Sequence, residues 1–116
     1  MSTGCLFCSI AAGTIPVKAV YADEQVIAFP DISPQAPVHI LVIPRRHIAS
    51  LAQLTEADRQ EMGHLLERVA HVASLLGVAE AGYRTIINTN AHGGQEVFHL
   101  HCHILAGKPI GPMVAR

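Results

Sequence analysis

Charge is the first thing this 116-residue chain has little of. Only 15% of its residues are Asp, Glu, Lys or Arg, and the net charge is −1 with histidine counted neutral. Such a balance, with a pI of about 6.7, argues against a nucleic-acid groove, which needs clustered cations to neutralise phosphates. It leaves room for one small phosphate held by backbone N–H groups and a few histidines. Cysteine is sparse too: three thiols, an odd number. The first residues, Met1-Ser-Thr-Gly-Cys-Leu-Phe-Cys8, lack a basic stretch and a long apolar core. No disulfide framework or export is therefore expected, and a reducing cytoplasm is the reading. No apolar run nears the roughly 20 residues that span a bilayer, so no membrane partner is expected. Repeats, charge runs and low-complexity segments are lacking, and the length suits one domain, residues 1–116. Aromatics are few: three Phe, two Tyr and no Trp.

Against these scarcities stand a 50% apolar content, enough to fold, and eight histidines, as many as Lys and Arg combined. One helix is clear. Thr55 is a plausible N-cap, with Glu56 and Asp58 in a first turn where the helix dipole favours carboxylates. Met62, Leu65, Leu66, Val69, Val72, Ala73 and Leu76 recur at three- and four-residue steps as one buried stripe, and Gly77 supplies the stop. His64 and His71 lie off that stripe and read as solvated or boundary residues. Residues 17–21 and 26–29 flank Asp23-Glu24-Gln25 and predict a hairpin. Residues 38–43, 83–88 and 98–105 are three more candidate strands, and 6–12 a short helical turn ended by Gly13. The three prolines of Pro30-Asp-Ile-Ser-Pro-Gln-Ala-Pro37 predict a rigid loop. The sum is an α+β domain: a five-stranded, mainly antiparallel sheet with one long helix between the third and fourth strands.

The strongest chemical signal is His99-Leu-His-Cys-His103. In a strand, alternate side chains share a face, which lines up His99, His101 and His103 and turns Leu100, Cys102 and Ile104 to the core. Cys102 then reads as a buried thiol. A chance cluster is disfavoured, because adjacent imidazoles repel once protonated. A metal row and a catalytic row, with one imidazole as nucleophile, both remain. Just upstream, His92-Gly-Gly-Gln95 would let backbone approach an anion closely, although paired glycines alone usually mean a turn. Cys5-Leu-Phe-Cys8 has the spacing of half a tetrahedral zinc site, of a redox pair, or of two unremarkable thiols.

The stretch from Gly93 to Leu105 (Gly-Gly-Gln-Glu-Val-Phe-His-Leu-His-Cys-His-Ile-Leu) resembles the histidine-triad motif. Asp31-Ile-Ser-Pro-Gln-Ala-Pro-Val-His-Ile-Leu-Val-Ile-Pro44 is similar to the other long signature of the branch containing purine nucleoside phosphoramidases. The likeness continues through Gly82-Tyr-Arg-Thr-Ile-Ile-Asn88 and spans nearly the whole chain. It implies a homodimer whose five-stranded sheets join, each protomer cleaving the P–N bond of purine nucleoside 5′-phosphoramidates. His101 matches the nucleophile that forms a nucleotidyl-histidine, and His103 and His39 match histidines around the scissile phosphate. Asn88, Gly94, Gln95 and Val97 match the phosphate-side wall, with backbone amides near Gly94 as donors. Asp31 matches the carboxylate on the ribose, though a loop-capping Asp fits there as well. Leu6, Phe7, Ile10, Phe29 and Ile32 match the apolar base pocket, with core packing as the alternative for Phe7, Phe29 and Ile32. Some members with the N-terminal cysteine pair hold structural zinc, which here implies Cys5, Cys8, His47 and His99. Two departures stand out: Glu96, where some members carry Ser, is expected to turn away from the phosphate, and Pro30 stands where some members carry a polar or basic residue. A dinucleoside polyphosphate hydrolase and a nucleotide-binding regulatory module are the alternative functions.

Overall fold

The computed structural model describes residues 5–115. A short helix α1 (Leu6–Ala11) precedes strands β1 (Tyr21–Ala22), β2 (Val26–Pro30) and β3 (Val38–Pro44). The long helix α2 (Arg59–Leu75) follows, then β4 (Arg84–Ile86), a one-turn helix α3 (Asn90–Gly93) and β5 (Cys102–Ala106). The five strands form one antiparallel sheet in the order β1-β2-β3-β5-β4. Among the described residues, no helix is long and apolar enough to cross a membrane.

Period-two alternation sorts the side chains onto two faces. Val26, Ala28, Ile40, Val42, Cys102 and Ile104 turn to one side and pack with Leu65, Val69 and Val72 of α2. Burying each such aliphatic side chain contributes about 1.5–3 kcal/mol. Ile27, Phe29, Leu41 and Ile43 turn the other way and meet Phe7 and Ile10 of α1. His39 and His103 occupy this second parity on β3 and β5. The histidines therefore share the α1 face with the smaller apolar cluster, away from the long helix.

Local chemistry explains where the elements begin and end. Asp23 Oδ1 accepts from the N–H groups of Gln25 and Val26 at 2.8 Å, which turns the β1–β2 hairpin. Thr55 and Asp58 form a capping box, but the turn they cap (Glu56–Asp58) is a 3₁₀ turn leading into α2. Gly77 ends the helix with φ +74°. Leu66 is a correction: it is 55% exposed, because it lies one step around the helix from the face made by Leu65, Val69 and Val72. The first strand shrinks to Tyr21–Ala22 and the fourth to Arg84–Ile86. The fifth starts at Cys102, four residues later than its pattern suggested. In the β3–β5 register Val42 faces Cys102, so Leu100 would face Pro44, which has no N–H to donate. Leu100 N–H donates to Ile48 O instead, at 2.7 Å. The alternation nevertheless survives outside the ladder: Leu100 is buried in the α2-side core.

Candidate active site

A cleft of about 450 Å³ opens on the α1 face. Of the residues expected at a nucleotide site, Leu6, Phe7, Ile10, Phe29, Asp31, Ile32, Asn88, Gly94 and Val97 line it, together with His101 and His103. His39 and Gln95 do not line it, and both sit behind the wall. Phe7 and Phe29 are buried, so they serve core and cleft at once, while Ile32 is 98% exposed at the rim and is no core residue. The sequence reading missed Ile15, Pro16, Val17 and Leu41 as lining residues. The sequence pattern puts Val17 in a strand, whereas the segment after α1 passes along the cleft. Leu41 was simply one member of an apolar run, and nothing local marks which face it takes. Glu96, expected to turn away, is exposed and borders the cleft.

Backbone groups fix which nitrogen of each imidazole carries its proton. Nδ1 of His101 lies 2.8 Å from the carbonyl oxygen of His99. A carbonyl only accepts, so Nδ1 holds the proton and Nε2 of the neutral ring keeps a lone pair, as a nucleophile requires. Gln35 N–H donates to Nδ1 of His39 at 3.0 Å, so that nitrogen is bare and the His39 proton sits on Nε2. From there it points at Nδ1 of His103, 2.9 Å away. Neutral His103 consequently carries its own proton on Nε2, an atom that is buried and has no hydrogen-bond partner. An unsatisfied buried donor is costly unless something outside the chain meets it. Here the residue that carries it lines the cleft beside His101, with ring centroids 5.0 Å apart.

Burial, reinforced by the neighbouring His101 and His39, pulls the His103 pKa down to about 4. Desolvation lowers His39 as well, opposed by Asp31. Asp31 Oδ2 lies 3.5 Å from His39 Nε2, and its Oδ1 accepts from Ser33 N–H at 2.7 Å. The loop-capping role of Asp31 is thus present, and one oxygen remains toward the site. Asp31, His39 and His103 are close enough to suggest a cation site. The proton positions argue otherwise: His39 accepts at Nδ1, so a metal on Nε2 would demand a doubly deprotonated ring.

Gln95 is buried and braces the loop. Its side-chain oxygen accepts from Asn90 N–H at 2.9 Å, and its amide donates to the carbonyls of Ala49 and Val97 at 2.8 and 3.0 Å. The amides of Gly94 and Gln95 close the α3 turn onto the carbonyls of Ala91 and Asn90 at 3.1 Å. Glu96 and Val97 N–H, next in line, have no partner among the described residues. Gly94 itself has φ +77°, a conformation that favours glycine.

A second cluster flanks the cleft. Sγ of Cys5 lies 3.4 Å from Nδ1 of both His47 and His99, and Sγ of Cys8 lies 3.2 and 3.5 Å from the same atoms. Ordinary zinc–sulfur and zinc–nitrogen bonds in a tetrahedron put S and N about 3.6 Å apart. His99 donates from Nε2 to Pro44 O at 2.7 Å, which frees Nδ1 for the cluster. Number, type and spacing of donors therefore fit a closed metal site. Cys102 lies apart from it, fully buried, and burial pushes its thiol up to about 11.

The remaining histidines have other work. His64 Nε2 contacts Asp23 Oδ2 at 2.6 Å, and the ring of His71 meets Tyr21 edge-on, both tying α2 to the hairpin. His92 lies in α3.

Comparison with known proteins identifies the family. The HIT domain model matches residues 12–110. The chain is 47% identical over 115 residues to the purine nucleoside phosphoramidase of Escherichia coli K12, covering 99% of this chain and 97% of that protein. It is 44% identical to Protein HitA of Neisseria gonorrhoeae, over 91% and 97% of the two chains. A histidine triad protein from Clostridium difficile superimposes with a TM-score of 0.94 at 41% identity, covering 98% and 99%. A HIT family hydrolase from Legionella pneumophila gives 0.91 at 44% identity, over 93% and 96%. The chain belongs to the HIT domain family.

Proposed function

We propose that the chain hydrolyses purine nucleoside 5′-phosphoramidates through a covalent histidine intermediate. The carrying observation is the pair of imidazole nitrogens at the cleft: a bare Nε2 on His101 beside a protonated, partnerless Nε2 on His103. His101 Nε2 attacks the α-phosphorus, the P–N bond breaks, and the leaving amine takes a proton from solvent. Water then attacks the nucleotidyl-histidine and releases the nucleoside monophosphate. Charge accumulates on the non-bridging oxygens, where the His103 N–H and the Glu96 and Val97 amides supply donors without a single Lys or Arg. His39 and Asp31 keep the His103 tautomer that presents this donor. Asp31 takes the ribose hydroxyls, and Leu6, Phe7, Ile10, Phe29 and Ile32 take the purine. Asn88, Gly94 and Val97 form the phosphate-side wall, with Gln95 bracing it from behind.

The same reading includes structural zinc on Cys5, Cys8, His47 and His99, which crosslinks α1 to the catalytic segment and takes no part in the chemistry. It also includes one HIT unit over residues 1–116, a cytoplasmic setting, and a homodimer with joined sheets. Sedimentation equilibrium tests the dimer. Turnover of adenosine 5′-phosphoramidate against diadenosine polyphosphates tests the substrate class. Faster cleavage of the phosphoramidate, abolished by His101→Ala, is the expected result. Preference for the polyphosphate, or binding of AMP without turnover of either, would replace the reading.

A further inference from the structure

Helix α1 belongs to both clusters. Its six residues are too few to hold a helix unaided in water, and the packing of Phe7 and Ile10 against Ile27, Phe29, Leu41 and Ile43 holds it. Cys5 at its N-cap and Cys8 in its first turn reach His47 and His99. Between them Phe7, 4% exposed, turns into the cleft. The Phe7 ring meets His101 edge-on at 5.1 Å between centroids, His99 at 5.9 Å and Phe29 at 5.7 Å. A single side chain therefore touches a metal-cluster histidine, the nucleophile and the base-pocket wall. The same histidine's backbone carbonyl also holds the His101 ring.

We propose that Phe7 couples the two sites, so that a metal ion on the Cys5–Cys8–His47–His99 cluster and a purine nucleotide in the cleft each tighten the binding of the other. The physical origin is shared positioning. Either ligand pins α1 where it packs: the metal through its cysteines, the nucleotide through Leu6, Phe7 and Ile10. Whichever binds second finds α1 and the Phe7 ring already held and binds more tightly. The coupling is reciprocal by thermodynamic necessity. Phe7 is thus a positioning residue for His101 as well as a wall of the pocket. This inference rests on the proposed nucleotide site and extends it to regulation of that site by metal occupancy.

The test measures zinc affinity of the full chain in a chelator-buffered titration, with and without saturating AMP, at the same free zinc in both arms. The expected result is an affinity at least about fivefold higher with AMP, near the lower end of ordinary allosteric coupling. Phe7→Leu keeps all four ligands and an apolar side chain but loses the ring contacts. It should bind zinc alone nearly as the parent does, and lose most of the AMP-induced gain. Ile32→Ala, at the exposed rim and outside α1, should weaken AMP binding yet preserve the gain at saturation. Equal zinc affinities with and without bound AMP would overturn the coupling and leave the nucleotide site standing. A gain that survives Phe7→Leu would overturn the role of Phe7. Absence of AMP binding would overturn the functional reading and the inference together.

Discussion

His99 and His101 stand two residues apart and use the same side chain in opposite ways. His99 gives its Nε2 proton to Pro44 O and turns Nδ1 to two thiols. His101 gives its Nδ1 proton to the carbonyl of His99 and leaves Nε2 bare at the cleft. Neither role is written in the imidazole. A backbone carbonyl, by taking one proton, decides which nitrogen stays free, and in the proposed function these are the nitrogens for a metal and for phosphorus. Changes on the two sides of this division should therefore fail differently.

The largest effect belongs to His101, the proposed nucleophile. His101→Ala should reduce phosphoramidate turnover at least about a thousandfold while leaving fold and zinc content intact, as checked by circular dichroism and metal analysis. Next comes the buried donor. His103→Gln should lower kcat about a hundredfold, the usual loss for one donor to a charged transition state, with a smaller change in KM. Equal losses for His99→Ala and His101→Ala, with zinc retained in both, would erase the distinction between the two histidines.

Smaller effects sharpen the comparison. Gln95→Ala strips partners from Asn90 N–H and the carbonyls of Ala49 and Val97. It should cost about 1–3 kcal/mol in urea unfolding, read with AMP absent. Cys5→Ser should empty the metal cluster and lower the melting temperature, yet keep kcat within about tenfold, because the His101 lone pair does not depend on the metal. Acid gives the mildest probe. With its pKa pulled from 6.5 to about 4 by burial, native His103 refuses a proton that the unfolded chain accepts. The sign follows: stability is full above pH 6.5 and declines as pH falls toward 4. His103→Gln should flatten part of that decline, and an imidazole NMR titration of His103 should show a midpoint near 4.

What the sequence reveals of this arrangement is uneven for physical reasons. Side-chain patterns are local, so the α2 face and the division of Leu100, Cys102 and Ile104 from the histidines can be read directly. Hydrogen bonds from the backbone are not local. Gln35 N–H onto His39 and the His99 carbonyl onto His101 belong to no residue type, and no pattern announces them. Strand ends depend on partners: β5 starts late because Pro44, without an N–H, stands opposite Leu100 on the neighbouring strand. Gln95 sits in the motif beside true cleft residues, yet its bonds show a brace rather than a contact. Cys5 and Cys8 read as half a metal site, and only folding brings His47 and His99 to them.

In the proposed chemistry the bare Nε2 of His101 becomes covalently bonded to phosphorus. Adenosine 5′-phosphoramidate labelled at phosphorus, mixed rapidly with enzyme and quenched without acid, tests it most directly. Label is expected on the peptide containing residues 98–105, localised to His101 and absent in His101→Ala. Turnover at full rate with no protein-bound label at any mixing time, or label on His103, would contradict it.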